Sequence, residues 1–326
     1  MTAAAIQEIL TQAPIEEPVS LVTIELANFL GMELPARELI LSPWLPEAGL
    51  CMIHAFRGIG KTHLSLGIAC AVAKGGHFLG WEAPVPRNVL YVDGEMPASV
   101  LQERLAKIML MMNCEQFPGK LNIITPDLQK FGMPDIATKA GQALLDQYIT
   151  EDIDLVIIDN LSCLARSIKE NDANDWSSIQ SWVLNLRAKG KSVLLIHHSG
   201  KAGAQRGTSK KEDVLDTVIA LEHPKDYEST QGARFVVKFE KSRGFFGDDA
   251  KSFEAQLCSD EKGTPYWGIT STEESNYEKV VAMLNQDISQ KEITKELGIN
   301  KSTVSRHAKR ARENGVLRSS SGGSYE

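Results

Sequence analysis

A chain of 326 residues, 43% of them hydrophobic and 24% charged, has ordinary globular composition and room for one large core with a small appended domain. No apolar run approaches membrane-spanning length, and no basic stretch leads into a hydrophobic segment at the N-terminus, which excludes a membrane partner and predicts a cytoplasmic protein. The net charge of −7 taken alone speaks against a nucleic-acid partner, but residues 276–326 hold nine Lys/Arg against six Asp/Glu, a basic module on an acidic remainder. Five scattered cysteines (51, 70, 114, 163 and 258), none in a CxxC pair, read as buried free thiols, with neither disulfides nor a zinc site favoured.

In chain order, residues 1–34 read as an N-terminal arm or docking helix, and Leu21–Leu41 as a lead-in helix and loop punctuated by Pro35. Residues 35–270 then alternate. Strands are predicted at Leu50–Ile53, Val89–Val92, Leu121–Thr125, Leu155–Ile158 and Ser192–Ile196, and helices at Lys61–Ala73, Ala98–Met112, Ile136–Thr150 and Trp176–Ala188. Short apolar runs separated by amphipathic helices predict an α/β class with a mostly parallel sheet covered on both faces. Later apolar runs at Val214–Leu221, Ala233–Phe239, Ser252–Leu257 and Pro265–Ile269 predict antiparallel strands that extend it.

Residues 271–277 read as a polar linker and residues 278–326 as a small all-α or winged helix-turn-helix domain. Ser275-x-x-Glu278 and Ser289-x-x-Glu292 both fit the capping box, in which a hydroxyl and a carboxylate reciprocally satisfy free N–H groups. Gly298-Ile299-Asn300 supplies a tight turn. The helix Lys301–Glu313 would bury Val304, Ala308 and Ala311, present Ser302, Thr303, Ser305, Arg306, Lys309 and Arg310 on its other face, and enter a major groove of duplex DNA. Val316-Leu317 would open a wing.

The run Ala55-Phe56-Arg57-Gly58-Ile59-Gly60-Lys61-Thr62, between an apolar strand and a helix, reads as a phosphate-binding loop. Small residues let successive N–H groups close around phosphate oxygens, and the helix N-terminus adds its dipole. With His63, these residues are the candidate nucleotide site, Lys61 reaching the β/γ-phosphates of ATP and Thr62 a Mg²⁺ ion. The usual pattern begins with glycine where this chain has Ala55. Asp154-Leu-Val-Ile-Ile-Asp159 is an apolar strand ending in a carboxylate, placed so that Asp159 would hold the metal. The next residue is Asn160, an amide that cannot take a proton, so the water-activating carboxylate must come from elsewhere. Glu95, just beyond the strand Val89–Val92, is the best candidate.

With these features the sequence resembles the RecA/DnaB/KaiC superfamily, and within it the RepA-type hexameric plasmid helicases, over about residues 35–270. The resemblance implies a RecA-like P-loop ATPase core, and His198 at the end of its strand as a sensor of the γ-phosphate, with His197 equally readable as a core residue. It implies DNA contact by the loop from Ser199 to Lys211, where Lys201, Lys210 and Lys211 could neutralise phosphates of a single strand. It further implies a positive group supplied across a subunit boundary, for which Lys241, Arg243 and Arg206 are candidates. The expectation is an oligomeric, hexameric Mg-ATPase that translocates on or unwinds DNA in plasmid or phage replication. The alternative is an ATP-controlled DNA-binding regulator or helicase loader, favoured by the acidic core and the sequence-reading tail.

Overall fold

A computed structural model of the chain describes residues 21–167, 176–199 and 212–317. The chain divides into two compact units, Met1–Ala36 and Arg37–Glu326. In the first, the expected long lead-in helix reduces to α1 (Leu26–Leu30), whose N-terminal N–H groups of Ala27 and Asn28 are capped by the Glu25 carboxylate and which buries no residue. Residues 1–20, the start of the expected arm, lie outside the described residues.

The second unit is built on a nine-stranded sheet. Its elements are β1 (Leu39–Leu41), β2 (Leu45–Pro46), β3 (Leu50–Ala55), α2 (Lys61–Lys74), β4 (Gly76–Phe78), β5 (Trp81–Ala83), β6 (Val89–Asp93), α3 (Ala98–Met111), β7 (Leu121–Ile124), α4 (Lys139–Asp146), β8 (Leu155–Asp159), α5 (Leu161–Leu164), α6 (Trp176–Ala188) and β9 (Ser192–His198), followed by β10 (Thr217–Glu222), β11 (Arg234–Ser242), β12 (Phe253–Ser259), β13 (Pro265–Ser271), α7 (Thr272–Leu284), α8 (Gln290–Leu297) and α9 (Lys301–Glu313). The main sheet has the order β13-β12-β11-β10-β3-β9-β8-β6-β7. Its six strands from β10 to β7 are parallel, and β11, β12 and β13 continue it antiparallel as expected; the run Val214–Leu221, expected antiparallel with them, instead forms β10, which lies parallel to β3 and reverses direction only toward β11.

Central strands such as β3 and β8 are buried along their whole length because both faces are covered. On one face Cys51, Ile53 and Ala55 pack with Leu64, Ile68 and Leu101. On the other, Leu50 and Met52 pack with Ile179, Trp182 and Val183 of α6, whose apolar residues recur at helical spacing. The chain runs from β3 across to β6 and β7, returns through β8 and β9, then passes to the far side of β3 as β10. Reversals of this kind open a crevice at the carboxyl ends of parallel strands, where ligands bind.

Several expected boundaries move. The predicted helix Ile136–Thr150 is only α4, because Thr138 caps it by accepting from the Gly141 N–H and the Ile136 N–H is spent on the Leu164 carbonyl. The pairs β1/β2 and β4/β5 were not anticipated. There is no linker at 271–277: Ser271 ends β13 and caps α7 directly, its hydroxyl accepting from the Glu274 N–H. The capping box at Ser275-x-x-Glu278 therefore does not form, and Ser275 lies inside α7, buried, donating to Glu254 Oε2 at 2.8 Å. The second box, Ser289 with Glu292, forms as expected, and Gly298 ends α8 at φ 61°, the left-handed conformation that favours glycine.

The three C-terminal helices share a small core of Val280, Ile293 and Val304. They join the sheet through an ion network. Arg234 donates to Glu254 at 2.6 Å and to Asp226 at 3.0 Å, and Lys279 of α7 bridges the same two carboxylates at 3.3 and 3.0 Å. Both Arg234 and Glu254 are buried, so their charges persist only because they are paired. The five cysteines are all free thiols; Cys51 and Cys70 are buried as expected, whereas Cys114, Cys163 and Cys258 are half-buried. Among the described residues no helix is long and apolar enough to cross a membrane.

Candidate functional site

The loop after β3 turns on two glycines with positive φ, Gly58 at 84° and Gly60 at 120°. Ala55 is different: it is the last residue of β3, in register with His198 of β9 and Leu221 of β10, and its side chain is buried. The backbone is extended there, so the missing glycine costs the loop nothing. Phe56, Arg57 and Gly58 are exposed, Ile59 is buried beneath them, and Thr62 and His63 open α2.

Lys61 is folded under the loop, its ammonium donating to the carbonyls of Ala55 and Phe56, each at 2.9 Å. Burial lowers its pKa to about 8, against the pull of Asp159 and Glu95. A desolvated cation held by two carbonyls, beneath a loop turned by two glycines at a helix N-terminus, is a cradle for an anion. Burial also lowers His63 to about 4, with Arg104 and Lys107 adding to the effect.

The strands bring the rest together. Asp93 and Asp159 end β6 and β8 in register. Asp159 is almost fully buried, which raises its pKa against hydrogen bonds from Tyr91, Ser65 and Thr62 and the charge of Lys61. The Asp159–Asn160 peptide bond is cis. Asn160 caps α5 through the Cys163 N–H and donates its amide to Glu95 Oε2 at 2.6 Å. The residue that cannot serve as a base thus orients the one that can. His198 Nε2 stands 3.9 Å from the same Glu95 oxygen. His197, its neighbour on β9, points to the opposite face and is buried. Lys61, Thr62, Glu95, Asp159 and His198 line one cleft of about 340 Å³.

The oxygen donors present fit a magnesium ion bound jointly with phosphates. Thr62 and Asp159 are in hydrogen-bonding contact. Among the described residues no cluster of three or more His, Cys, Asp or Glu could hold a metal alone. Mg²⁺ takes few protein ligands when a substrate supplies the others.

Sequence reasoning missed Asp93, Tyr91, Ser65 and Arg104. Asp93 lines the same cleft and accepts from the N–H groups of Glu95 and Met96 and from the Thr125 hydroxyl, shaping the turn that carries Glu95. Arg104 of α3 lines the cleft, and as one charged residue of an amphipathic helix it carried no sequence signal of that place.

Lys241 and Arg243 do not approach this cleft. Lys241 pairs with Val218, which is level with Met52, three residues or about 10 Å of strand short of Ala55. Its ammonium donates to the Glu212 and Asp213 carbonyls, and Arg243 donates to the Asp213 carbonyl at 3.1 Å. Burial and the adjacent Arg243 lower the Lys241 pKa. Lys201, Arg206, Lys210 and Lys211 lie outside the described residues.

On α9, Val304, Ala308 and Ala311 are buried as expected, and His307 joins them. Ser302, Ser305 and Lys309 are exposed and Thr303 is half-buried, with Lys309 3.8 Å from Glu313. Arg306 and Arg310 do not project freely. Arg306 pairs with Glu273 at 3.3 Å, and Arg310 forks onto Glu274 at 3.0 and 3.4 Å with its guanidinium 4.0 Å from the Tyr277 ring centre. Exposed pairs of this kind are weak and exchange readily for a phosphate.

Comparison with known proteins agrees with this geometry. The family model described as an AAA domain matches residues 15–204, and one described as winged helix-turn-helix DNA-binding matches residues 282–318. The DNA repair protein RadA of Campylobacter jejuni is 26% identical over 212 residues, 63% of this chain and 41% of the relative. The chain thus spans about two fifths of the length of the curated relative it matches. Among solved structures, a KaiC-like protein from Pyrococcus horikoshii has a TM-score of 0.47 at 14% identity, covering 71% of this chain and 93% of that one. The flagellar accessory protein FlaH of Methanocaldococcus jannaschii has 0.46 at 13%, covering 69% and 92%. The first of the two family models spans more than half of the sequence, including Lys61, Thr62, Glu95, Asp159 and His198, and the chain belongs to that AAA domain family of ATPases, with an α/β core and, at residues 282–318, a segment that matches the winged helix-turn-helix model.

Proposed function

We propose that the chain is a Mg²⁺-dependent ATPase that works on DNA as an oligomer, a helicase or translocase of hexameric type with ATP at the subunit boundaries. The observation that carries this reading is the 2.6 Å contact that fixes Glu95 over the cleft of Lys61, Thr62 and Asp159. Loop N–H groups and Lys61 would bind the β- and γ-phosphates, and Thr62 and Asp159 would hold the magnesium ion. Bound Mg²⁺ would offset phosphate charge. Glu95 would take the proton of a water as its oxygen attacks the γ-phosphorus and the bond to the β-phosphate oxygen breaks, leaving ADP and phosphate. His198, 3.9 Å from Glu95, would register the presence of the γ-phosphate.

Within one chain the cleft receives no arginine from β11. The Arg243 and Lys241 edge faces away from it, which suits a group supplied to a neighbour, and such a group contributes about 10³–10⁵ in rate in comparable sites. Arg243→Ala subunits mixed with Lys61→Ala subunits are therefore expected to regain part of the hydrolysis that each lacks alone. The mixed boundary joins an intact loop to an intact arginine. Absence of any recovery in a phosphate-release assay would transfer the role to Arg206 or to a single-chain mechanism.

DNA enters through two surfaces in this reading, a single strand along the loop with Lys201, Lys210 and Lys211 and a duplex against α9. The relationship to a DNA repair protein supports the DNA-directed reading. A regulator or loader is the second reading, favoured by the ion network that ties α7 to Arg234. Hydrolysis stimulated by single strands, with displacement of a paired strand and a hexamer mass, is the expected result. Stimulation by one duplex alone without displacement decides for the regulator.

A further inference from the structure

The buried hydroxyls of Tyr91 and Ser65 take no part in the chemistry above, yet both meet at the carboxylate of Asp159. Tyr91 on β6 and Ser65 in α2 are fully buried among apolar side chains. Phenylalanine and alanine would fill these places without the cost of desolvating a hydroxyl. Each hydroxyl has a partner. Tyr91 donates to Asp159 Oδ2 at 2.6 Å, and Ser65 Oγ lies 2.9 Å from the same oxygen. The two hydroxyls are 2.9 Å apart, closing a triangle of three oxygens, and Ser65 Oγ is also 3.1 Å from the Thr62 carbonyl.

A carboxylate at the end of a strand can rotate about its last bond and exchange its two oxygens. Here both hydroxyls fall on Oδ2, while the Asp159 backbone is fixed by the Gly94 N–H on its carbonyl at 2.7 Å and by strand pairing on both sides. We propose that Tyr91 and Ser65 are positioning residues that hold Oδ2 inward and so reserve Oδ1 of Asp159, with the Thr62 hydroxyl, for the magnesium ion. The inference rests on the reading of Asp159 as the metal-holding residue. Hydrogen bonds to a ligating carboxylate orient it and tune its affinity, and their loss typically weakens metal binding about 10–100-fold. Ser65 does the same work from the first turns of α2, so the metal oxygen, the helix after the phosphate loop and the strand that leads to Glu95 are tied by one triangle of oxygens.

The test uses the full chain and titrates Mg²⁺ into its complex with ADP, following ADP affinity from EDTA upward by calorimetry. Tyr91→Phe and Ser65→Ala are each expected to raise the half-maximal Mg²⁺ concentration by about tenfold or more. The double variant should show less than the sum of the two effects, because both hydroxyls act on one oxygen. Ser65→Ala places the best helix former in α2 and remains informative if Tyr91→Phe folds poorly. Two variants that keep the parent Mg²⁺ midpoint would overturn the proposal while leaving Asp159 its role. A parent chain whose ADP affinity ignores Mg²⁺ would overturn the metal reading of Asp159 and this inference with it.

Discussion

Glu95→Gln protein is expected to bind ATP and hydrolyse it about 10²–10⁴ times more slowly, the range over which a positioned general base acts. The substitution keeps the length of the side chain and an oxygen that can still accept from the Asn160 amide, so the turn from Asp93 to Met96 should persist. What disappears is a group able to take a proton. Among the described residues no other carboxylate in the cleft is free to replace it: both Asp93 oxygens accept, from the Glu95 and Met96 N–H groups and Thr125, and Asp159 is committed to Tyr91 and Ser65 through Oδ2 and, in the proposed reading, to the magnesium ion through Oδ1. Paired measurements of nucleotide binding and phosphate release check the prediction. Parent-like turnover would remove Glu95 from its assigned role.

Lys61→Ala should lose ATP rather than turnover alone. A charge-assisted hydrogen bond contributes about 1.5–3 kcal/mol, so one lost phosphate contact already weakens binding roughly 10–100-fold. Folding should not suffer in proportion. The ammonium is desolvated without a carboxylate in contact, and its depressed pKa of about 8 says that the fold disfavours its charge. The readout is thermal unfolding with and without ATP. A ligand at 100 times its Kd adds about 2.7 kcal/mol to the parent, whereas a variant weakened roughly 10–100-fold should gain only about 0.4–1.4 kcal/mol at the same ATP concentration, with a correspondingly smaller rise in melting temperature. An undiminished ATP-induced shift in the variant would place the phosphates elsewhere.

Features that depend on local chemistry were legible in the sequence. The five core strands are continuous apolar runs because both faces are covered, and the boundaries of α6 follow from Trp176, Ile179, Trp182, Val183 and Leu186 alone. Gly58, Gly60, Lys61 and Thr62 are bound by spacing, and the amide of Asn160 after Asp159 directed attention to Glu95, which lies in the same cleft and accepts from that amide. What escaped depends on distant partners. Ser271 and Ser275 both precede acidic residues by three, and only the buried Glu254, across the sheet on β12, decides that Ser275 belongs inside the helix. Arg306 and Arg310 read as groove-facing because Glu273 and Glu274 lie a whole helix hairpin upstream. Tyr91 and Ser65 read as core positions until the sheet brings Asp159 to them. Two- and three-residue strands such as β2 and β4 carry no periodicity to detect.

The network around Arg234 changes what deletion experiments on this chain can mean. A Cβ added at Gly60 would stand 3.1 Å from the ring of Phe235, and 3.5 Å from Ala233, so the phosphate loop leans on the two residues that flank Arg234. Removing the chain beyond β13 would strip Glu254 of Ser275 and Lys279 and leave that buried carboxylate to Arg234 alone. The disturbance would arise on the strand that backs the nucleotide loop. A shortened ATPase core is therefore a damaged one, and a loss of ATP turnover on truncation would report a broken support beneath the loop before it reported any need for DNA.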